Sequence, residues 1–387
     1  MKQPKVLVNY VEAGMGHITA AMSVADCLKK YYGEELEIKD AYLFRDSGDK
    51  MLVKFEKFLA KNTASYSKNK HLGLFHVFLM IAFGPKFTLK LIHDISFAKA
   101  KKATMEQYRK EDPDVIVTTH FSDAYYAKCY QKKYNPNCKV VTYNPDPDVH
   151  GWWYNETDCF IVNNKDAYTQ ALKRKFKKEN VKEVKFIVRN DIINYNLSKE
   201  ECRKKHGIPN DKFIVMLNDS VYAAARLEVF TNEMLKTKKD LTIIPATCKN
   251  ERLMKLYTEI KNDQPDNINL IPIGFRFDLY EFYRAADVVV AKSGPNTLLD
   301  CGFMGTPIIV NYFATPTEKY SRDLFVKTFG LGEIITDPVE CRKRVEEFAD
   351  NPELLKGYAE NAKKNFDQKR TGGEEVAKII YDIAKRK

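Results

Sequence analysis

The stretch that most constrains this chain is DVVVAKSGPNTLLDCGFMGTPIIVN, residues 287–311. Asp287 to Ala291 is a short β-branched apolar run, the composition of a strand buried on both faces of a parallel sheet. Ser293, Gly294 and Pro295 break it. Asn296 and Thr297 then open an amphipathic helix through Asp300, Phe303 and Met304, which Gly305 and Pro307 close before Ile308 to Val310 begin another strand. Such a unit gathers backbone N–H groups and a helix N-terminus at one point, which suits an anionic ligand. Taken alone, it is equally an ordinary βαβ crossover with a tight turn.

A similar unit stands near the start of the chain. Lys5 to Tyr10 reads as a strand, followed by the loop Val11-Glu12-Ala13-Gly14-Met15-Gly16-His17 and a helix expected from about Thr19 to Tyr31. The Rossmann fingerprint would need a third glycine where Thr19 stands, and the Gly-Lys-Ser/Thr of a P-loop is missing. Gly14 and Gly16 still let backbone approach a ligand. A histidine in a glycine turn above a parallel sheet is a better general-base candidate than most, so His17 is singled out, although most isolated histidines are structural.

Between these ends the strand grammar repeats. Strands are expected at Asp114–Thr119, Lys139–Tyr143, Asp158–Asn163 and Val184–Val188, then at Phe213–Leu217, Thr242–Pro245 and Asn269–Ile273. The polar passage Arg189–Leu197 separates two halves of similar size, followed by a helix over Ser198–His206 with Gly207 as its cap. A chain of 387 residues exceeds the size at which one core usually divides. The expectation is therefore α/β, two Rossmann-like β/α/β domains, 1–190 and 191–387, facing each other across a cleft. Helices from about 352 onward close the chain and could pack back on the first domain; Thr371-Gly372-Gly373 interrupts them.

Two internal stretches carry alternatives. Asp146-Pro147-Asp148 with His150, in the loop that holds Trp152 and Trp153, is either a divalent-metal grip or a Pro-Asp turn; the turn is preferred because short D-x-D strings are common in loops. Residues 71–92 are the most apolar of the chain, yet Leu72–Phe83 is too short to span a bilayer, and Lys86, Lys90, Lys99, Lys101 and Lys102 follow. That combination suits a segment lying on an anionic membrane surface, or equally a buried helix followed by a polar one.

Charge narrows the partners. Lys and Arg number 63 against 52 Asp and Glu, a net charge of +11, which favours an anionic partner. Nucleic acid fits poorly, because no element interleaves lysines with stacking aromatics at readable spacing. The 8 cysteines follow no framework spacing and read as reduced core thiols of a cytosolic protein. The first strand begins so near Met1 that no signal peptide is expected.

With those residues in view, the chain resembles the monogalactosyldiacylglycerol synthase and processive diacylglycerol glucosyltransferase family, and more distantly the peptidoglycan lipid N-acetylglucosaminyltransferase. The resemblance runs through Gly14-Met15-Gly16-His17, the strand ending at His120, the Tyr143–Trp153 loop, and the passage from Ile271 to Asn311. It implies a GT-B glycosyltransferase that is inverting, needs no metal or other cofactor, and sits peripherally on the cytoplasmic face of the cell membrane. The implied partners are a UDP-hexose, diacylglycerol and an anionic membrane surface. The implied reaction moves galactose or glucose to the diacylglycerol hydroxyl; a polyprenyl-linked or lipopolysaccharide acceptor, or a non-catalytic lipid-surface role on the same scaffold, are the alternatives.

By the same resemblance His17 is the base that deprotonates the acceptor. Gly14, Met15, Gly16, Asp146, His150 and Trp153 belong to the acceptor loops. Phe275 lies along the uracil, and Ser293, Gly294, Pro295, Asn296 and Thr297 face the diphosphate. Asp300 stands where the family has a ribose-holding glutamate. Glu318 keeps its place in the donor-sugar motif, where Thr317 and Ser321 replace a glutamine and an asparagine.

Overall fold

The computed structural model describes residues 3–11, 15–46, 48–54, 56–57, 90–219, 226–367 and 371–386. It divides into two compact units, Met1–Ile193 with Arg370–Lys387, and Asn194–Lys369.

The first unit is built on β1 (Lys5–Asn9), β2 (Glu37–Ala41), β3 (Val115–Thr118), β4 (Lys139–Tyr143), β5 (Cys159–Val162) and β6 (Val181–Glu183). They form one sheet in the order β2-β1-β3-β4-β5-β6, with every pair parallel. The expected strand at 184–188 lies instead at β6, which pairs Val181 with Phe160. One further bond, Val184 N–H to Val162 O at 2.9 Å, ends that ladder. Short polar β2 was not expected at all. Its alternation of Ile38 with charged neighbours reads weakly, and it forms only because β1 offers a free edge.

The first helix runs Met15–Tyr32. It therefore starts earlier than the expected Thr19, so Gly16 and His17 sit in its first turn and not in a loop. The last helix, Gly373–Lys385, packs against it. Val376, Ala377, Ile380 and Ala384 join Val24, Ala25 and Leu28 in one core, and Tyr381 stacks on Tyr32 with centroids 4.2 Å apart. Gly373 makes this docking possible. A Cβ there would lie 2.6 Å from the Cys27 Sγ of the first helix. Helices Pro338–Asp350 and Lys356–Asn365 stay with the second unit.

The second unit holds β7 (Phe213–Asn218), β8 (Leu241–Cys248), β9 (Ile268–Leu270), β10 (Ile273–Gly274), β11 (Val288–Lys292), β12 (Ile308–Tyr312) and β13 (Gly332–Ile334). The order is β10-β8-β7-β11-β12-β13, with β9 also on β8, and again all pairs are parallel. The single strand expected at 269–273 is two, because Pro272 has no N–H to carry the ladder onward. The helix after the boundary is Lys199–Lys205, opened by a capping box of Ser198 with Glu201 and followed by Gly207 at φ 63°.

Both sheets reverse direction of travel at one point. From β1 the chain goes outward to β2 and then returns to β3 on the other side; from β7 it goes to β8 and returns to β11. In open α/β sheets, ligands bind beyond the strand C-termini at such switch points. The loops after β1 and β3, and after β7 and β11, are therefore the places to look for chemistry.

Candidate active site

At the switch point of the first unit, His17 meets the end of β3. His17 Nδ1 lies 2.6 Å from the carbonyl oxygen of Thr119, and the Thr119 hydroxyl donates back to the His17 carbonyl at 2.9 Å. A carbonyl can only accept, so Nδ1 carries the proton and, in the neutral ring, Nε2 is the basic nitrogen. Burial pushes the His17 imidazolium below the usual histidine range, while the Asp146 carboxylate and the Thr119 carbonyl pull the other way. His17 is thus held neutral with its tautomer chosen, the state a general base needs.

Its walls are aromatic. The His120 ring stands edge-on at 4.9 Å and Trp153 at 6.5 Å. His120 is buried; its Nδ1 accepts from the Ser122 N–H at 3.3 Å, and desolvation, then the charges of neighbouring histidines, hold it well below the usual range. By contrast His93 is a satisfied core histidine, with Nδ1 at 2.7 Å from Tyr126 Oη and Nε2 at 3.3 Å from Ser122 Oγ.

The Asp146 loop is a pinned turn. Asn144 Oδ1 accepts the Asp146 N–H at 3.0 Å, Asn144 Nδ2 donates to Asp148 O at 2.8 Å, and Asn164 Nδ2 donates to Pro147 O at 2.8 Å. Asn163 Nδ2 reaches the Asp146 carbonyl at 3.0 Å. Asp146 Oδ2 faces His150 Nε2 at 3.6 Å, and His150 Nδ1 accepts the Trp152 N–H at 3.2 Å, so the proton of a neutral His150 points at Asp146. Asp146, Asp148 and His150 do not converge as three ligands. Among the described residues the only such set is His206, Asp278 and Glu281, whose carboxylates are already paired with Lys205 and Arg276. Trp153 is buried, and its indole N–H has no hydrogen-bond partner among the described residues. Of the other expected acceptor residues, Gly14 lies outside the described residues, while Met15 and Gly16 begin the first helix.

In the second unit the turn after β11 is tighter than the sequence suggests. Ser293 is fully buried, and its N–H and its hydroxyl both donate to Tyr312 O, at 3.0 and 3.1 Å. The Gly294 N–H donates to Lys292 O at 2.8 Å. These two residues, expected to offer amides to an anion, have spent them within the turn. Pro295 has none to give. The helix Pro295–Met304, with Gly294 as N-cap, leaves its first-turn amides at Asn296 and Thr297 without intrahelical partners. Asp300 is four residues beyond Asn296 and three beyond Thr297, hence on the same helical face. Gly294 has φ −64°, and beyond Ser293 and Pro295 a Cβ there would meet nothing nearer than Thr297 Oγ1 at 4.0 Å among the described residues.

Around this turn, Asn218 at the end of β7 donates to Tyr283 Oη at 2.7 Å. Phe275, just after β10, is 37% exposed, with the Lys249 ammonium 4.9 Å over its ring and Phe277 at 5.2 Å. Glu318 does not stand open. Its Oε1 is 2.6 Å from Lys292 Nζ, and its Oε2 accepts the Ala314 N–H at 2.5 Å. Burial opposes the Lys292 ammonium, but Glu318 more than compensates and holds it above the usual lysine range. Thr119 and Lys292 were missed by sequence reasoning. Each is the residue that ends or just follows a strand at a switch point, and strand order, the signal that marks them, cannot be read from the sequence.

Two parallel-sheet α/β units, each with its own switch point, make the GT-B fold. MurG of Acinetobacter baumannii has this fold; its solved structure matches with TM-score 0.63 at 12% identity, covering 98% of this chain and 100% of MurG. HepE of Anabaena, solved with UDP-glucose, matches with TM-score 0.53 at 12% identity over 98% of this chain and 99% of its own. No protein-family model matches the chain. Among curated proteins it is 20% identical to the processive diacylglycerol beta-glucosyltransferase of Bacillus pumilus, over 93% of this chain and 90% of the relative. It is 23% identical to the chloroplastic monogalactosyldiacylglycerol synthase 3 of Arabidopsis thaliana, over 98% of this chain and 80% of the relative. The chain is a homologue of these diacylglycerol glycosyltransferases, as the sequence resemblance implied.

Proposed function

We propose that the protein transfers a hexose, galactose or glucose, from a UDP-sugar to the free hydroxyl of diacylglycerol. The observation that carries this reading is His17, neutral, with its tautomer set by Thr119 and its basic Nε2 available to an acceptor hydroxyl. In the reaction the lipid oxygen attacks C1 of the sugar as its proton passes to His17 Nε2. The C1–O bond to the β-phosphate breaks, and UDP leaves carrying the negative charge. The amides of Asn296 and Thr297, at the positive end of a helix, are the groups that stabilise that charge. Phe275 offers its exposed face to the uracil, and Asp300 accepts from the ribose hydroxyls.

The diacylglycerol acceptor lies in a membrane. Leu91 and Ile95 are 47% and 70% exposed, beside exposed Lys90, Lys99 and Lys102. Apolar side chains among lysines favour an anionic leaflet. The apolar stretch 72–89 that precedes them lies outside the described residues, and no described helix is long and apolar enough to cross a membrane.

The reading is tested by incubating the protein with vesicles of diacylglycerol or of a polyprenyl-linked acceptor and a panel of UDP-sugars. Hexosyl-diacylglycerol is expected; product on the polyprenyl acceptor alone would move the activity to that class. Activity is expected to survive EDTA, since helix amides meet the leaving charge and the Asp146 loop is a pinned turn. Loss with chelator, restored by magnesium or manganese, would contradict this. Asp300→Ala is expected to weaken UDP itself roughly tenfold to a hundredfold by calorimetry, the worth of about 1.5–3 kcal/mol for hydrogen bonds to a charged group. Unchanged UDP affinity would remove Asp300 from the nucleotide site.

A further inference from the structure

Lys292 and Ser293 are consecutive, and each ties the turn after β11 to the turn after β12. Ser293 does so through two bonds to the Tyr312 carbonyl. Lys292 does so through its side chain, which reaches Glu318 at 2.6 Å with both partners close to nine-tenths buried, 11% and 12% exposed. Glu318 in turn gathers its own segment: its Oε2 takes the Ala314 N–H, and its N–H donates to the capping Thr315 hydroxyl at 3.2 Å. Residues 312–318 are thus fastened to the β11 turn at both ends.

We propose that the Lys292–Glu318 pair is a latch that positions the 312–318 turn for the sugar of the donor, so that Lys292, acting through Glu318, governs affinity for the hexose and not for UDP. This rests on the donor reading above and changes the role of Glu318 within it. A glutamate that gripped sugar hydroxyls would turn an oxygen outward, whereas the Glu318 side chain is only 12% exposed and each of its oxygens already holds a partner. Ser321 is also spent inward: it is fully buried and donates to the Thr317 carbonyl at 2.9 Å. Of the motif positions Thr317, Glu318 and Ser321, the last two are therefore internal braces. What the turn presents to a sugar is then its backbone and Thr317, and their placement depends on the latch. A buried ion pair is weak evidence for net stability, because desolvation consumes much of its attraction; fixing one arrangement against others is its better-attested use.

The test compares Glu318→Gln, Lys292→Met and the charge-neutral double variant. Dissociation constants for UDP, UDP-glucose and UDP-galactose are measured by calorimetry, and KM and kcat by transfer to diacylglycerol vesicles. UDP affinity is expected to stay within about threefold of wild type. The ratio of UDP-hexose to UDP affinity should fall tenfold or more, by a similar factor in both single variants and no further in the double, because coupled partners are non-additive. The loss should appear chiefly in KM for the donor. If Lys292→Met leaves an unpaired buried carboxylate and fails to fold, the double variant gives the same reading. A loss of sugar affinity in Glu318→Gln with none in Lys292→Met or the double variant would mean that Glu318 holds the sugar directly and would overturn the latch. So would equal losses for UDP and UDP-hexose, which mark a merely structural pair. Wild-type protein that binds no UDP at all would instead sink the donor reading.

Discussion

His17→Ala is expected to lower turnover by about 100- to 10,000-fold, the usual worth of a general base, while UDP affinity stays unchanged. The size follows from the chemistry. A lipid hydroxyl is a poor nucleophile until its proton has somewhere to go, and with Nδ1 bonded to the Thr119 carbonyl, Nε2 is the one basic nitrogen of the His17 ring. The pH profile gives an independent check. Because burial lowers the His17 value, the base is already deprotonated at neutral pH, so activity is flat there and falls only as pH drops below the ordinary histidine value of about 6.5. Asp146 opposes that lowering. Asp146→Asn should therefore carry the acid limb still lower. A His17→Ala enzyme with near wild-type rate would move the search to Asp146, His120 or His150.

Gly294→Val is expected to leave folding intact and weaken UDP binding by roughly a hundredfold or more. Two facts separate this glycine from those the fold requires. Its φ of −64° and ψ of 129° suit any residue, and beyond Ser293 and Pro295 no described atom lies nearer than 4.0 Å to the place of a Cβ. By contrast, a Cβ at Gly332 would fall 1.7 Å from the Ile308 carbonyl oxygen. Gly332 serves strand packing, whereas the space beside Gly294 is what an anion needs to approach the helix amides. Valine is a poorer N-cap than glycine, which costs at most about 1 kcal/mol. Thermal melting should thus move by a few degrees while calorimetry with UDP records the large loss. A folded Gly294→Val protein with wild-type UDP affinity would place the diphosphate elsewhere.

What could be read in advance follows from the range of the forces involved. The unit at 287–311 was legible because its strand, break and helix are each encoded within a few residues: Val288–Val290, then Gly294-Pro295, then Gly305. The edge strand β2 was not, because a neighbour's open edge and not its own composition makes it a strand. His17 was legible as a candidate, but the sequence placed it in a glycine turn, whereas the helix starts at Met15 and presents it from the first turn. The partners that define its chemistry, Thr119 and Asp146, lie more than a hundred residues away. Ser293 and Glu318 likewise meet partners outside their local sequence, 19 and 26 residues away. As isolated residues they look like ligand groups. Only the fold brings the Tyr312 carbonyl to one and the Lys292 ammonium to the other, and both then read as braces.

The measurement that bears most directly on this account is mass spectrometry of lipid extracted after the protein meets diacylglycerol vesicles with UDP-glucose or UDP-galactose. Wild type should yield a hexosyl-diacylglycerol that grows with time, while His17→Ala, still binding UDP, yields almost none. Wild-type protein that binds UDP yet forms no hexosyl-diacylglycerol from either donor, or equal product from both proteins, would contradict it.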